Sequence, residues 1–458
     1  MLKNFSISLA LFLWMASAHG GTPEKKEEIT KALPRIATDF LRYVAIDTQS
    51  KEGEKQIPST RKQCTLARIL ADDLKRMKVR SVEVDKHCYV FATVPSTAPE
   101  GIEIPTIGFI GHLDTSPDAP GANVKPQIVL DYNGGEIELK GTGEKMSPKE
   151  YSSLSKYKGQ DLITSDGTTL LGADNKAGIA AIMAAVREIL TNTSMPHGKV
   201  RVLLAPDEEV WKGVEALDIK KFGVDFAYTV DGGSPGNIAT ESFFAERAIF
   251  KVKGFNTHPG YAKGKLVNAV RVASSIINRI PKSQLPETTS GKQGYFYPYE
   301  LSGTSTTDEA ALMVLLRDFD QDRMEWRKRY LERIRQKTLR EFPGATIDLE
   351  VQHQYDNLGK YLSRDPRVAD FAIEAVRRAG LEPKKDAIRG GTDGCDLSER
   401  GLLTPDIFAG EENIHSTHEY VSIQAMEQSA ATIRETVYVW AEKAVQAGKK
   451  EPDPPKEK

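Results

Sequence analysis

The apolar positions in the first half of the chain follow two different patterns. Between 66 and 77 they recur every three or four residues, which predicts a helix. The stretches 106–111, 199–205 and 226–230 are short and largely apolar, which is typical of central strands buried on both faces. Between them, 177–190 is rich in alanine and isoleucine and predicts another helix. This order of strands and helices favours an α/β layer.

The middle of the chain has a different pattern. Strands are predicted at 247–252, 310–317 and 347–351, and helices at 266–280 and 325–341. This β-α-β-α-β series holds few residues that could bind a ligand. It therefore predicts a small α+β domain inserted into a larger one.

The predicted fold is thus α/β with two domains. A larger domain with a mixed sheet is built from both chain ends, at 25–241 and 363–447. The smaller α+β domain is inserted at 242–362. Lysine, glutamate, proline and aspartate dominate the tail at 448–458, which predicts disorder there.

The first residues resemble a targeting segment. Lys3 is followed by an apolar run at 5–15 and by the small residues Ala16, Ser17 and Ala18. This pattern predicts a signal peptide at 1–18 and a periplasmic or secreted protein. A buried helix or a membrane anchor is the alternative, but a spanning helix needs about 20 apolar residues.

Composition excludes several classes of partner. With 458 residues, a net charge of -2 and 28% charged residues, the chain is typical of a soluble protein. It has no basic patch interleaved with aromatic residues, so no nucleic acid is expected as partner, and no second apolar stretch predicts a membrane contact in the mature form. Of three cysteines, Cys64 and Cys88 form one disulfide or remain buried thiols together with Cys395.

Polar residues follow each of the three central strands. His112 and Asp114 follow the first, Glu208 and Glu209 the second, and Asp231 the third. In open α/β sheets, ligands bind just beyond the carboxyl ends of the strands. We therefore expect these side chains to converge on one site.

Asp174 and His418 extend this set to a metal site. Imidazole and carboxylate groups suit Zn²⁺, and also Mn²⁺ or Co²⁺. Taken singly, Asp174 could be a helix N-cap and Asp231 a turn residue. The full set exceeds the needs of one tetrahedral ion, and two ions about 3.5–4 Å apart that share a carboxylate would use it. The residues alone therefore predict a two-metal hydrolase.

Seven short motifs occur in a fixed order along the chain. They are HLDTSPD at 112–118, GADNKAG at 172–178, PDEEV at 206–210, VDGG at 230–233, HPG at 258–260, RGGTDG at 389–394 and HSTHE at 415–419. Together, from about residue 30 to about residue 445, they resemble the tripeptide aminopeptidases of the M20 metallopeptidase family. The residues of these motifs are less similar to those of the carboxypeptidases and desuccinylases of the same clan.

The resemblance implies a ligand set for two divalent ions, with zinc as the expected metal. Asp174 would bridge both ions, His112 and Asp231 would complete one site, and Glu209 and His418 the other. His418 is preferred to His415 because it directly precedes Glu419.

The resemblance also implies the catalytic roles. Asp114 would hydrogen-bond His112 and fix its tautomer. Glu208 would be the general base that takes a proton from a metal-bridging water and passes it to the leaving amine.

Three further residues are implied as substrate contacts. His258 would reach from the inserted domain to the scissile carbonyl, Arg389 would bind a carboxylate or the oxyanion, and Asn268 would add a polar contact. Each also has a structural explanation, as a turn residue, a surface arginine or a residue in the first turn of a helix.

The expected activity is the removal of the N-terminal residue from short peptides, with tripeptides as the expected substrate and the inserted domain as a lid. Trp211 departs from the family pattern and would narrow the pocket or pack outside it. The alternatives are another M20-type amidohydrolase (a dipeptidase, a carboxypeptidase or an N-acyl amino acid deacylase) and a non-catalytic exported peptide-binding protein. The sequence does not predict an oligomeric state.

Overall fold

The computed structural model describes residues 33–304 and 306–448. In this part of the chain the α-helices are α1 (Arg35–Val44), α2 (Gln63–Arg76), α3 (Ala173–Thr191), α4 (Ile219–Phe222), α5 (Ala269–Asn278), α6 (Gln321–Glu341), α7 (Leu358–Leu362), α8 (Arg367–Arg378), α9 (Asp393–Glu399) and α10 (Ile423–Gly448). The strands are β1 (Arg80–Val84), β2 (Val90–Val94), β3 (Ile107–His112), β4 (Gln127–Val129), β5 (Ile137–Glu138), β6 (Lys145–Met146), β7 (Leu162–Thr164), β8 (Val200–Ala205), β9 (Phe226–Val230), β10 (Asn237–Ser242), β11 (Phe244–Lys253), β12 (Tyr295–Gly303), β13 (Glu309–Asp318), β14 (Thr346–Tyr355), β15 (Lys384–Ile388), β16 (Asp406–Ile407), β17 (Glu411–Glu412) and β18 (Tyr420–Ser422).

The main sheet has eight strands in the order β1-β2-β8-β3-β9-β16-β10-β15. Strand β3 runs parallel to both β8 and β9, whereas β2 is antiparallel to β8 and β16 is antiparallel to β10. Every residue of β3 is buried, as its continuous apolar run predicts. The sheet is mixed and packs against helices, so the predicted α/β fold class is confirmed.

Helix α3 packs closely against the main sheet because of one glycine. A Cβ atom on Gly178 would lie 2.0 Å from the carbonyl oxygen of Val230, at the end of β9. Only glycine permits this approach. The start of α3 is thereby held beside the carboxyl end of β9, where the candidate ligands follow.

A second sheet is formed by the middle of the chain. Its four strands lie in the order β12-β13-β11-β14, and all neighbouring pairs are antiparallel. Helices α5 and α6 pack on it around a core that includes Phe250, Leu312 and Leu331. We call this part, residues 244–355, the second-sheet region. The predicted domain bounds of 242–362 stay a prediction.

The chain enters and leaves the second-sheet region at adjacent points. The backbone N–H of Ser242 donates to Oδ1 of Asn357 at 3.1 Å, and the N–H of Leu358 donates to the hydroxyl of Ser242 at 2.9 Å. These bonds join the last residue of β10 to the first turn of α7. The two connections between the sheets therefore lie side by side.

The cysteines adopt one of the two arrangements that the sequence left open. Cys64 and Cys88 form a disulfide that ties α2 to the turn before β2. Cys395 is a buried free thiol, 3.3 Å from the hydroxyl of Ser242.

The predicted signal peptide at 1–18 lies outside the described residues, as does the predicted disordered tail, apart from the last residue of α10. Within 33–304 and 306–448, no helix has both the length and the apolar character needed to cross a bilayer.

Candidate active site

Three neighbouring strands bring their polar residues to one edge of the main sheet. His112 ends β3, Glu208 and Glu209 lie in the short turn after β8, and Asp231 follows β9. Because β8, β3 and β9 are parallel neighbours, their carboxyl ends meet. His112 Nε2 lies 3.7 Å from Asp231 Oδ1. The side chains of His112 and Asp231 therefore lie at one edge of the sheet, next to the turn that carries the two glutamates.

Asp174 lies between two histidines. Its Oδ1 atom is 2.9 Å from His112 Nε2, and its Oδ2 atom is 3.3 Å from His415 Nε2. His415 Nε2 also lies 2.9 Å from Glu209 Oε2. Asp174 sits at the start of α3 with non-helical backbone angles, which turn its carboxylate toward this cluster. A carboxylate with one oxygen toward each of two donor groups has the arrangement of a bridging ligand.

Asp114 links the histidine to both glutamates. It is fully buried, and its two oxygens accept the backbone N–H groups of Glu208 at 3.0 Å and of Glu209 at 3.2 Å. Its Oδ1 atom also lies 3.3 Å from His112 Nδ1. One carboxylate therefore orients the ring of His112 and fixes the backbone of the turn that carries the glutamates.

The structure corrects the choice between the two histidines near the C-terminus. His418 does not reach the cluster: its Nε2 atom is 3.3 Å from Glu144, and its ring stacks on Tyr151 with centroids 5.4 Å apart. His415, which the sequence reasoning set aside, takes the position beside Asp174. Proximity to Glu419 in sequence was a poor guide because side chains in a turn diverge, and His415 has a left-handed φ of 60°.

Glu419 fixes the backbone next to the cluster. Its carboxylate is buried and accepts the backbone N–H groups of Leu171, Gly172 and Asp174 at 2.7–2.9 Å. It thereby clamps the segment at 415–419 to the start of α3. This contact holds His415 and Asp174 next to each other.

Electrostatics at the site are dominated by buried carboxylates. Burial raises the pKa of Glu208 well above its usual range, and the charges of Asp231 and Asp393 add to this effect against that of His112. Burial, together with the charge of Asp174, raises the pKa of Glu209 to about 8. Both carboxyl groups are therefore costly to ionise at this buried place unless a cation lies beside them.

Divalent cations fit this arrangement of donors. Three sets of side chains have donor atoms within 4.8 Å of one another, namely His112 with Asp174 and Glu209, His112 with Glu208 and Asp231, and Asp174 with Asp231 and Glu411. Glu209 Oε1 and Glu411 Oε2 are buried without a hydrogen-bond partner. Nitrogen and oxygen donors of this kind suit Zn²⁺ or Mn²⁺.

A cleft of about 680 Å³ opens beside the cluster and is lined by Glu208, Asp231 and Glu411 among others. Trp211 forms part of its wall, is half exposed, and stacks on Tyr355 with ring centroids 4.8 Å apart. Sequence reasoning missed Tyr355 and Glu411 because neither belongs to a motif that it singled out.

The three predicted substrate contacts are not gathered at the cluster. Arg389 lines the cleft, but its guanidinium donates to the carbonyl oxygens of Gly291 at 2.6 Å and Gln293 at 2.8 Å. His258 is exposed on a short turn, and Asn268 caps α5. Neither His258 nor Asn268 is among the described residues that line the cleft.

The chain is similar in sequence to a family of peptidases and to individual members of that family. Residues 165–438 match the profile of Peptidase family M20/M25/M40. Peptidase T of Geobacillus sp. (strain WCH70) is 43% identical over 410 residues, which cover 89% of this chain and 99% of that protein.

Two solved structures share the fold. Aminopeptidase PepT from Bacillus cereus ATCC 10987 has a TM-score of 0.67 at 24% identity, and a tripeptidase from Staphylococcus aureus subsp. aureus Mu50 has a TM-score of 0.70 at 23% identity. Each alignment covers 89% of this chain and 98% of the other.

The comparisons also correct the predicted signal peptide and export. Relatives named Peptidase T are matched over 98–100% of their own length by 88–90% of this chain, so the likeness to them gives export no support. The prediction rested only on the composition of residues 1–18, which combine Lys3, a short apolar run at 5–15 and three small residues. We regard it as wrong and assign no location to the protein.

Proposed function

The chain belongs to the M20 family of metallopeptidases and is a metal-dependent aminopeptidase, and from this premise we propose that it releases the N-terminal residue of tripeptides at the cleft beside Asp174. The observation that carries this proposal is the position of the Asp174 carboxylate between His112 and His415. The similarity to Peptidase T over nearly its whole length supports the substrate class.

Two zinc ions are the proposed cofactors. His112, Asp174 and Asp231 would hold one ion, and Asp174, Glu209 and His415 the other, with His415 in place of the predicted His418. When bound, such a pair would lower the pKa of the attacking water and polarise the substrate carbonyl.

Glu208 is the proposed general base. Asp114 fixes the backbone of its turn, and its side chain lines the cleft next to Asp231. It would take a proton from the attacking water and deliver it to the leaving amine. Burial raises the pKa of Glu208, which makes its carboxylate a stronger base.

We propose that the second-sheet region acts as a lid. His258 and Asn268 lie on this region and outside the cleft lining, so their proposed contacts with substrate require it to close. Arg389 would bind the substrate carboxylate after releasing the carbonyl oxygens at 291 and 293, since its planar donors match a carboxylate. Closure would also exclude water from the reacting carbonyl.

The test compares a free tripeptide, its N-acetylated form and a dipeptide as substrates of zinc-loaded protein. We expect cleavage of the free tripeptide, and a loss of about 10²–10⁴-fold in kcat for Glu208→Gln with two zinc ions still bound. Glu136→Gln, on the exposed surface, is the matched control and should cleave at the normal rate.

Other outcomes would contradict this assignment. Cleavage of the N-acetylated peptide instead would identify a different amidohydrolase of the family. Full activity of Glu208→Gln would remove Glu208 from its role, and zinc binding without any cleavage would indicate a peptide-binding protein.

A further inference from the structure

Glu411 lies at the cluster although no motif pointed to it. It begins β17, which pairs with β18 so that Glu411 is opposite Val421. The two preceding backbone N–H groups, of Ala409 and Gly410, donate to the carbonyl oxygen of Gly232 at 2.9 and 3.2 Å. Gly232 directly follows Asp231, so the backbone beside Glu411 is fastened to the backbone beside Asp231.

The Glu411 side chain is buried without a partner for one of its oxygens. The residue is 3% exposed, and its Oε2 atom is buried with no hydrogen bond. One carboxylate oxygen lies within 4.8 Å of oxygens of both Asp174 and Asp231. A buried carboxylate that faces two others is costly unless a cation lies among them.

We propose that Glu411 is a further ligand of the ion held by His112, Asp174 and Asp231. This inference rests on the two-ion site of the proposed function and adds a residue to it. A substrate ammonium group would be the other cation for this place. The metal ion is favoured because Glu411 is almost fully buried and faces oxygens that are themselves proposed ligands.

The proposal makes the two ion sites unequal. With Glu411, the first site has one imidazole and three carboxylate groups and is filled by protein donors. The second site, with Asp174, Glu209 and His415, has three protein donors and keeps a position free. In zinc enzymes a filled site is structural, whereas the reacting group binds where three protein ligands leave a position open. The first site is also the more oxygen-rich of the two, which favours harder ions such as Mn²⁺.

The test is a titration of metal-free protein with Zn²⁺ in competition with a chelator, which measures both affinities without substrate. We expect Glu411→Gln to weaken one of the two affinities by at least about 10–100-fold and to leave the other unchanged. Glu412→Gln is the matched control, since that neighbouring carboxylate accepts hydrogen bonds from Tyr157 and Ser234 and should leave both affinities unchanged. Circular dichroism checks that each variant is folded.

A second variant keeps the test informative if Glu411→Gln does not fold. Glu411→Asp keeps the charge but withdraws it by one methylene, and we expect it to weaken the same affinity to a smaller extent.

The proposal is overturned if both folded variants bind two zinc ions as tightly as the unchanged protein. It is also overturned if both affinities are unchanged and KM for a free tripeptide rises, because Glu411 would then bind the substrate ammonium group. If the unchanged protein cleaves tripeptides and binds two ions, either result affects Glu411 alone. If the unchanged protein binds fewer than two ions, the proposed function fails and this ligand fails with it.

Discussion

The main sheet and the second-sheet region both bury charged side chains, but they neutralise them differently. In the second-sheet region, Asp318 and Arg327 have side chains that are each 1% exposed, and they form an ion pair at 2.9 Å. Arg327 also donates to Gln284 at 3.1 Å. At the edge of the main sheet, by contrast, Glu209 and Glu411 each bury an oxygen that has no partner, and both belong to one cluster of acids. The second-sheet region also has such an oxygen, on Glu246, but the other oxygen of that carboxylate pairs with Lys328 at 3.1 Å.

This contrast distinguishes a structural group from a functional one. Removing an ion from water costs several kcal/mol unless a partner offsets it, so a buried pair that is complete within the chain serves the fold. Buried carboxylate oxygens without a partner are tolerated where a bound cation offsets the cost. A cation site is therefore indicated less by how many acidic residues lie together than by how many of their buried oxygens lack a partner within the chain.

The largest effect on stability is expected where the internal pair is broken. Arg327→Met removes the buried partner of Asp318 and leaves it only the exposed Arg323, so it should lower the free energy of unfolding by up to about 3–5 kcal/mol. Hydrogen exchange should rise in residues 244–355, while zinc affinity stays unchanged. Arg323→Met is the control, because Arg323 contacts the same carboxylate at 3.3 Å but is 64% exposed, and it should cost at most about 1 kcal/mol. Equal costs for the two variants would contradict the comparison.

Removing the metal should affect the other region. Zinc at about 100 times its dissociation constant should stabilise the protein by about 2.7 kcal/mol per site relative to chelator-treated protein. The extra protection from hydrogen exchange should appear in β17 and at the start of α3. Equal protection in the second-sheet region would show that the unpartnered carboxylates are not where the cation binds.

The two histidines of the HSTHE motif offer a finer test. His415→Ala should weaken zinc binding by at least about 10–100-fold, because its imidazole contacts Asp174 and Glu209. His418→Ala removes contacts with Glu144, Tyr151 and Thr417, none of which lies in the cluster, and should leave zinc affinity unchanged. Equilibrium dialysis of the two variants with zinc measures the difference. The reverse result would restore the ligand assignment made from the sequence.

The smallest effect concerns the thiol between the two regions. Burial raises the pKa of Cys395 from 9.0 to about 11, so the folded protein keeps this proton where the unfolded chain has lost it. Its contribution to stability is therefore complete below about pH 9 and is lost as the pH rises toward 11. Alkylation at pH 8 should be slow until the protein is unfolded, because the thiolate is the reactive form. Rapid labelling of folded protein would contradict the burial of this side chain.

The sequence predicts features that depend on local pattern. The strands β3, β8 and β9 appear as short apolar runs, and the residues after them share one sheet edge. Strand β12 was missed because it contains Pro298 and several exposed polar residues, which obscure the strand pattern. Strand β16 was missed because it has only two residues.

Side-chain direction was the main limit at the site. His415 and His418 lie in one turn, and which of them faces Asp174 depends on backbone angles that periodicity does not encode. Glu411 was missed for a related reason, since its place beside Asp231 follows from hydrogen bonds between residues far apart in the chain. The disulfide between Cys64 and Cys88 likewise depends on tertiary structure.

The adjacent connections at Ser242 and Asn357 have a consequence for protein engineering. A segment whose two ends lie side by side can be replaced by a short linker without changing the path of the rest of the chain. Replacing residues 244–355 in this way shows directly whether the main sheet folds, and its acidic cluster binds metal, without the second-sheet region.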